Sequence, residues 1–262
     1  MERLDTLDQS EILELRRKIL VTATLKKEGH IPSALSVLDL LYAIYVQIPR
    51  ISKYNVLTQD SFILSKGHAS LALYAILEHA GVIDNSWTKD FSDFSSDFGG
   101  HPDMRKIEGV EASTGSLGHG LPIALGKVLA SRVKKKDRNV TCLVGDGEMN
   151  EGTNWESLLL ASHHRMSELT LIIDQNNSND RALSLGNLEA KLNAFGFYVI
   201  CIDGHSQKEI LGALMKKTVG LPKAIIAKTI KGYGISQMQN NPAWHHAFPA
   251  GEQLDLMLQE LK

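Results

Sequence analysis

Cysteine is scarce: Cys142 and Cys201 are the only two among 262 residues. Both fall in segments expected to be buried strands, so they read as core thiols in a reducing cytoplasm. An excess of charge of one sign is missing too. With 28 basic and 30 acidic residues the formal net charge is −2, which gives no electrostatic reason to expect nucleic acid or an acidic membrane as partner. No window approaches roughly 18 uncharged apolar residues, so no membrane span is expected. The start, Met1 to Thr6, lacks the apolar run after positive charge that marks a secretion signal. Repeats and low-complexity segments are lacking as well. None of the ten histidines stands at a zinc-ligand spacing such as H-x-x-x-H, which argues against a transition-metal site. What remains is an ordinary globular composition, 43% hydrophobic and 22% charged, and a single domain over residues 1–262 is expected.

The most informative stretch runs from Val140 to Asn179. An apolar run, Val140 to Val144, breaks at Gly145-Asp146-Gly147, a helix-period segment follows, and a second apolar run, Leu169 to Ile173, ends in Asp174-Gln175-Asn176-Asn177. The pattern predicts strand, turn, helix and parallel strand, with Thr153 and Glu156 as a T-x-x-E capping box near the helix start. Parallel strands joined this way end side by side at the edge where open α/β sheets bind ligands. Asp146 and Asn176, 30 positions apart, are therefore expected as neighbours. A carboxylate, an amide oxygen and free backbone carbonyls suit Mg²⁺ or Ca²⁺, and Mg²⁺ keeps positions open for a substrate phosphate. Glycines on both sides of Asp146 let backbone approach phosphate oxygens.

Elsewhere the periodicity predicts helices over Ser10 to Lys27, Ser33 to Ile48, Leu121 to Val133, Leu188 to Phe195, Ser206 to Lys217 and Glu252 to Leu261, plus one from the Ser65–His68 turn to Ala80-Gly81. Strands are expected at Ser61 to Leu64, Phe197 to Ile202 and Ala224 to Ile230. Alternating strands and helices make this an α/β fold, a doubly wound parallel sheet flanked by helices. Periodicity fails from Ile83 to Gly120, and structureless stretches of that length inside a domain are usually functional. Lys134 to Arg138 is read as a solvated loop. Half of the histidines, His30, His68, His101, His119 and His205, directly follow a glycine. Imidazoles both donate and accept hydrogen bonds and exchange protons near neutral pH, so a cleft lined by several suits a polyhydroxylated substrate.

Gly-Asp-Gly followed about 30 residues later by Asn-Asn resembles the thiamine-diphosphate motif, and GDGEMNEG with DQNN is similar to the version in the transketolase family. Gly29-His30, Leu64-Ser65-Lys66-Gly67-His68-Ala69, Gly100-His101-Pro102-Asp103, Thr114-Gly115-Ser116-Leu117-Gly118-His119-Gly120, Thr229 to Gly234 and Trp244-His245 resemble further family motifs, all in the family's order. The resemblance implies the thiamine-diphosphate-binding fold and a Mg²⁺, with Ca²⁺ or Mn²⁺ as substitutes, held by Asp146, Asn176 and the main-chain carbonyl of Ser178. It implies that Gly145, Gly147 and His68 lie at the cofactor's diphosphate and Gly115, Ser116 and Leu117 at its rings. Glu151 stands at the family's contact between cofactor-binding domains. His30, His68, His101 and His245 resemble the channel histidines that bind the ketose donor and move protons, with His246 a rival to His245. Departures occur at Pro32-Ser33, which replaces a small glycine-type pair, and at His119, which stands in place of glutamine. The G-H-S-S-T-S stretch of the related deoxyxylulose-phosphate enzymes does not occur.

In this family a glutamate on a second domain activates the cofactor. No segment after Ile230 has room for such a domain, so a separate C-terminal subunit is expected to supply it, as in split transketolases, in an α2β2 assembly. The implied activity is cytoplasmic transfer of a two-carbon ketol unit from a sugar or sugar phosphate to an aldose. The rivals are a thiamine-dependent ketol or acyl transfer in a specialised sugar pathway, or a module that binds thiamine diphosphate without catalysis.

Overall fold

Five apolar runs take up extended structure in the computed structural model, which describes residues 2–48, 60–179 and 183–262. They are β1 (Ser61–Leu64), β2 (Val140–Gly145), β3 (Leu169–Gln175), β4 (Tyr198–Asp203) and β5 (Lys223–Lys228). They form one parallel sheet in the order β1-β2-β3-β5-β4. Parallel sheets are covered on both faces, which is why β1 and β2 read as continuous buried runs and not as alternating ones. In β2 and β3, Val140 lies opposite Leu169 and Gly145 opposite Asp174. The Asp146 N–H adds one more bond, to the Asp174 carbonyl at 3.1 Å. Register thus carries the Gly-Asp-Gly turn and the Asn-Asn turn to the same edge.

The helices are α1 (Glu2–Lys26), α2 (Ile31–Tyr42), α3 (Ser70–His79), α4 (Trp87–Asp90), α5 (Gly120–Val133), α6 (Gly152–His163), α7 (Leu188–Ala194), α8 (Gln207–Met215) and α9 (Glu252–Glu260). Successive strand residues face opposite ways, and two cores result. Leu143, Ile172 and Ile225 pack with apolar residues of α1, α2, α3, α8 and α9. Cys142, Val144, Leu171 and Ile173 pack with those of α5, α6 and α7 on the other face. The sheet is doubly wound, as the alternation of elements predicts. Each buried Leu or Ile contributes about 1.5–3 kcal/mol relative to exposure. No helix among the described residues is long and apolar enough to cross a membrane.

Two sequence expectations need correction. Cys142 is buried, but Cys201 is exposed, because β4 is the outer strand of the sheet and is covered less completely. The Thr153–Glu156 box does not cap α6. Glu151 precedes the helix without a side-chain cap, and the Thr153 hydroxyl donates to the Gly118 carbonyl at 2.7 Å. Thr153 ties a loop to the helix where a local cap was expected.

Candidate active site

The strand ends open on a cavity of about 250 Å³. Asp146 forms one wall: it is 5% exposed, its Oδ1 accepts the Gly147 N–H at 2.7 Å and its Oδ2 accepts the Asn177 N–H at 2.6 Å. That second bond makes the expected juxtaposition of the two turns physical. Burial, and then the neighbouring Asp174 carboxylate, push the Asp146 carboxyl above its usual range. The Asn176 amide donates through Nδ2 to Asp174 Oδ2 at 3.1 Å, which turns Oδ1 away from Asp174, and that oxygen accepts the Ser178 N–H at 3.1 Å. Asn176 and Ser178 both line the cavity.

Asp174 itself is completely buried. Burial raises its carboxyl, but the Lys66 ammonium and hydrogen bonds from Lys66, Thr229 and Ser36 outweigh that and hold it below the usual carboxylate range. Lys66 is only 2% exposed and pairs with Asp174. Lys231 also lines the cavity. Its Nζ lies 3.4 Å from Ser178 Oγ and 3.4 Å from His245 Nδ1, and burial, with Lys66 next, lowers its pKa.

Three loops close the floor through one carboxylate. Glu148 accepts hydrogen bonds from the Ser65 hydroxyl, from the Gly118 N–H at 2.9 Å and from the Gly145 N–H at 3.2 Å. Ser65 Oγ in turn accepts the Gly120 N–H at 3.0 Å.

The histidines converge beside this cavity. The His30 ring centroid lies 5.5 Å from His68, 5.0 Å from His245 and 5.1 Å from His246. His30 Nδ1 is 3.0 Å from the His245 carbonyl oxygen, which can only accept, so Nδ1 carries the proton and Nε2 keeps its lone pair. Burial, and then Lys66, depress His68 to about 2. Burial first also lowers His30 and His245. All three rings are neutral at physiological pH.

A family profile described as "Transketolase, thiamine diphosphate binding domain" matches residues 9–260. This chain belongs to the transketolase family. It is 35% identical to an apulose-4-phosphate transketolase subunit from Actinobacillus succinogenes, over 95% of this chain and 93% of that protein. The 6-deoxy-6-sulfo-D-fructose transketolase subunit SqwG of a Clostridium species is 34% identical over 83% of this chain and 82% of its own length. Human transketolase is 34% identical over 88% of this chain but only 38% of its own length. The fold matches crystalline Campylobacter jejuni transketolase with a TM-score of 0.86 at 29% identity, over 97% of this chain and 42% of that one. The chain therefore spans about two-fifths of that solved transketolase.

Among the residues that the transketolase resemblance singles out, the structure brings His68, Leu117, Gly145, Asp146, Gly147, Asn176, Ser178 and His245 onto one cavity. His30 joins them through its ring contacts. His101 is exposed and outside the cavity lining, with its ring against Gly115: a Cβ on Gly115, whose φ is +146°, would lie 2.8 Å from His101 Cδ2. Ser116 and Glu151 are exposed and outside the cavity lining. Sequence reasoning did not pick out Ser33, Lys66, Glu148, Asp174 or Lys231. Lys66 and Lys231 stand inside quoted motifs at strand ends, but their nearness to Asp146 is made by the fold and is not written in the sequence. Ser33 is 1% exposed and lines the cavity, yet its Oγ has no hydrogen-bond partner among the described residues. Buried hydroxyls are rarely left so, and this one fits a polar ligand.

Proposed function

We propose that this chain is the diphosphate-binding subunit of a two-component transketolase, which with a separate C-terminal subunit moves a two-carbon ketol unit from a ketose to an aldose. The observation that carries the reading is the meeting of two chemistries: an oxygen set at adjoining strand ends and, against it, a cluster of neutral histidines. Asp146, Asn176 Oδ1 and the Ser178 carbonyl are the hard donors that Mg²⁺ takes, with Ca²⁺ or Mn²⁺ as substitutes. Lys231 and the unpartnered Ser33 hydroxyl suit the anionic oxygens of a diphosphate. Thiamine diphosphate, when bound, supplies the carbon nucleophile that attacks a ketose carbonyl and lets the adjacent carbon–carbon bond break.

The chain's own part is positioning and proton transfer. Asp174 orients the Asn176 amide from behind, as outer partners of metal ligands commonly do. Leu117, with Gly115 and Ser116, forms the side assigned to the cofactor's rings. His30 offers its Nε2 lone pair to a substrate hydroxyl; His245, also neutral, relays the proton, and His68 stays neutral as a hydrogen-bond partner. His101, exposed beside Gly115, is assigned to the sugar rather than the diphosphate. A module that only bound the cofactor would not need the histidine cluster. The relatives are named for sugars that end in phosphate or sulfonate, so ketoses with an anionic end are the donors to try first. Relatives named as subunits of similar length support a separate partner chain, and we assign the assembly two copies of each chain, in the cytoplasm.

The test separates the two halves of the site. Asp146→Ala is expected to abolish Mg²⁺-dependent thiamine-diphosphate binding by calorimetry. His101→Ala is expected to bind normally and to lower ketol transfer with the partner present. Equal loss of cofactor in both variants would contradict the division of roles.

A further inference from the structure

His205 lies outside the cofactor cavity, yet both of its ring nitrogens are committed. Its side chain is 6% exposed and its Nδ1 is 2.8 Å from Asp39 Oδ2. Its Nε2 accepts the Ile230 N–H at 2.9 Å, which puts the ring proton on Nδ1, facing the carboxylate. Arg16 donates to the same Asp39 oxygen at 2.6 Å, both side chains nearly inaccessible. The Tyr233 ring stacks on His205 with centroids 3.6 Å apart and planes 16° from parallel, and the Arg16 guanidinium sits 5.0 Å from the Tyr233 ring centre. At Gly234, φ +94°, an added Cβ would come within 2.9 Å of Arg16 Cδ. A second cavity, about 500 Å³, lies on the outer side of these groups. Arg16 and Asp39 pair along its lining, while Arg16 Nε and Gln207 Oε1 have no hydrogen-bond partner among the described residues.

The 230–234 backbone is therefore gripped from behind, and the residue carried at its start is Lys231. A lysine stem has four rotatable carbons and aims poorly by itself, so the direction of its ammonium depends on the backbone from which it rises. We propose that Arg16, Asp39 and His205 form a positioning relay that fixes Lys231 for the cofactor's diphosphate, with His205 as its contact to the loop. This rests on the diphosphate reading above. It assigns a task to a Gly-His pair that the cavity leaves unused, and it makes α1 and α2 part of the anion site without touching it.

A double-mutant cycle tests it, reading the Kd for thiamine diphosphate at saturating Mg²⁺ by calorimetry on the full chain, with thermal midpoints alongside. His205→Gln and His205→Ala should weaken binding about tenfold in the wild-type background, the loss expected of one displaced hydrogen-bonded cation. Lys231→Met should weaken it at least as much. The paired variants should bind no worse than Lys231→Met alone, because the relay then has nothing left to aim. If the losses multiply, His205 acts independently of Lys231 and the relay is overturned. Should His205→Ala fail to fold, the His205→Gln cycle decides. Wild-type chain that takes up no thiamine diphosphate would defeat the diphosphate reading and this inference together, an outcome distinct from binding with multiplied losses.

Discussion

His68 is held at about 2, against an ordinary value of 6.5, by burial first and by the Lys66 ammonium second. Above the unfolded value the folded and unfolded chains bind the same number of protons at this ring. As pH falls through 6.5 the unfolded chain takes up a proton that folded His68 refuses. Stability is then lost toward acid, with a slope approaching about 1.4 kcal/mol per pH unit for the ring. His30 and His245 shift in the same direction. In urea titrations at roughly pH 7.5 and 5.5, His68→Gln is expected to lose less stability on acidification than the wild-type chain. An equal loss in both would mean that His68 is not the neutral ring described here. At this scale the Gly-His pairs pointed to His68, which lines the cavity, and to His30 beside it, but equally to His119 and His205, which lie outside its lining. The sequence was silent on Lys66 and Ser33, whose importance lies in burial and in whether a partner exists. Neither property is carried by residue type.

Between elements, the site depends on how tightly three loops close on one another. Gly120, the first residue of α5, sits so near β1 that a Cβ there would lie 2.2 Å from Ser65 Oγ and 2.7 Å from the Ser65 Cα. Ser65 is the hydroxyl that Glu148 and the Gly120 N–H share, so pushing it away unlatches the loop that carries Leu117. Gly120→Ala is expected to destabilise by about 1–3 kcal/mol, the usual cost of overpacking, and to weaken thiamine-diphosphate binding. Gly126 lies in the same helix with nothing within 4 Å of an added Cβ. Gly126→Ala should stabilise by roughly 0.5–1 kcal/mol, because helix propensity improves with no clash. Chemical denaturation of the two variants side by side checks both signs. Strand positions were readable to within two residues, since a sheet covered on both faces writes itself as short apolar runs. The Thr153–Glu156 pair misled because a capping pattern is local, while the Thr153 hydroxyl serves a contact 35 residues away. Residues 83–120 show no period, yet Trp87 and Phe91 are fully buried. Their packing is set by partners distant in sequence, which a helical or strand period does not encode.

For the whole molecule, the transketolase reading requires another polypeptide beside the cofactor's rings. Glu151 is the residue to probe: it is exposed, caps nothing, and is the position that family resemblance puts at the contact between cofactor-binding domains. An exposed residue without a folding role changes stability by no more than about 0.5 kcal/mol on substitution. Glu151→Ala should therefore unfold like the wild-type chain and still bind Mg²⁺ and thiamine diphosphate through Asp146 and Asn176. Mixed with a C-terminal subunit, however, it should assemble less tightly, seen by light scattering as loss of the complex's mass at concentrations where the wild-type pair holds together. Ketol transfer should fall in the same proportion and recover as protein concentration is raised, as mass action demands of an activity that resides in the complex. A Glu151→Ala pair that assembles with undiminished affinity would remove Glu151 from the interface. Ketol transfer by the chain without any partner would remove the need for the interface itself.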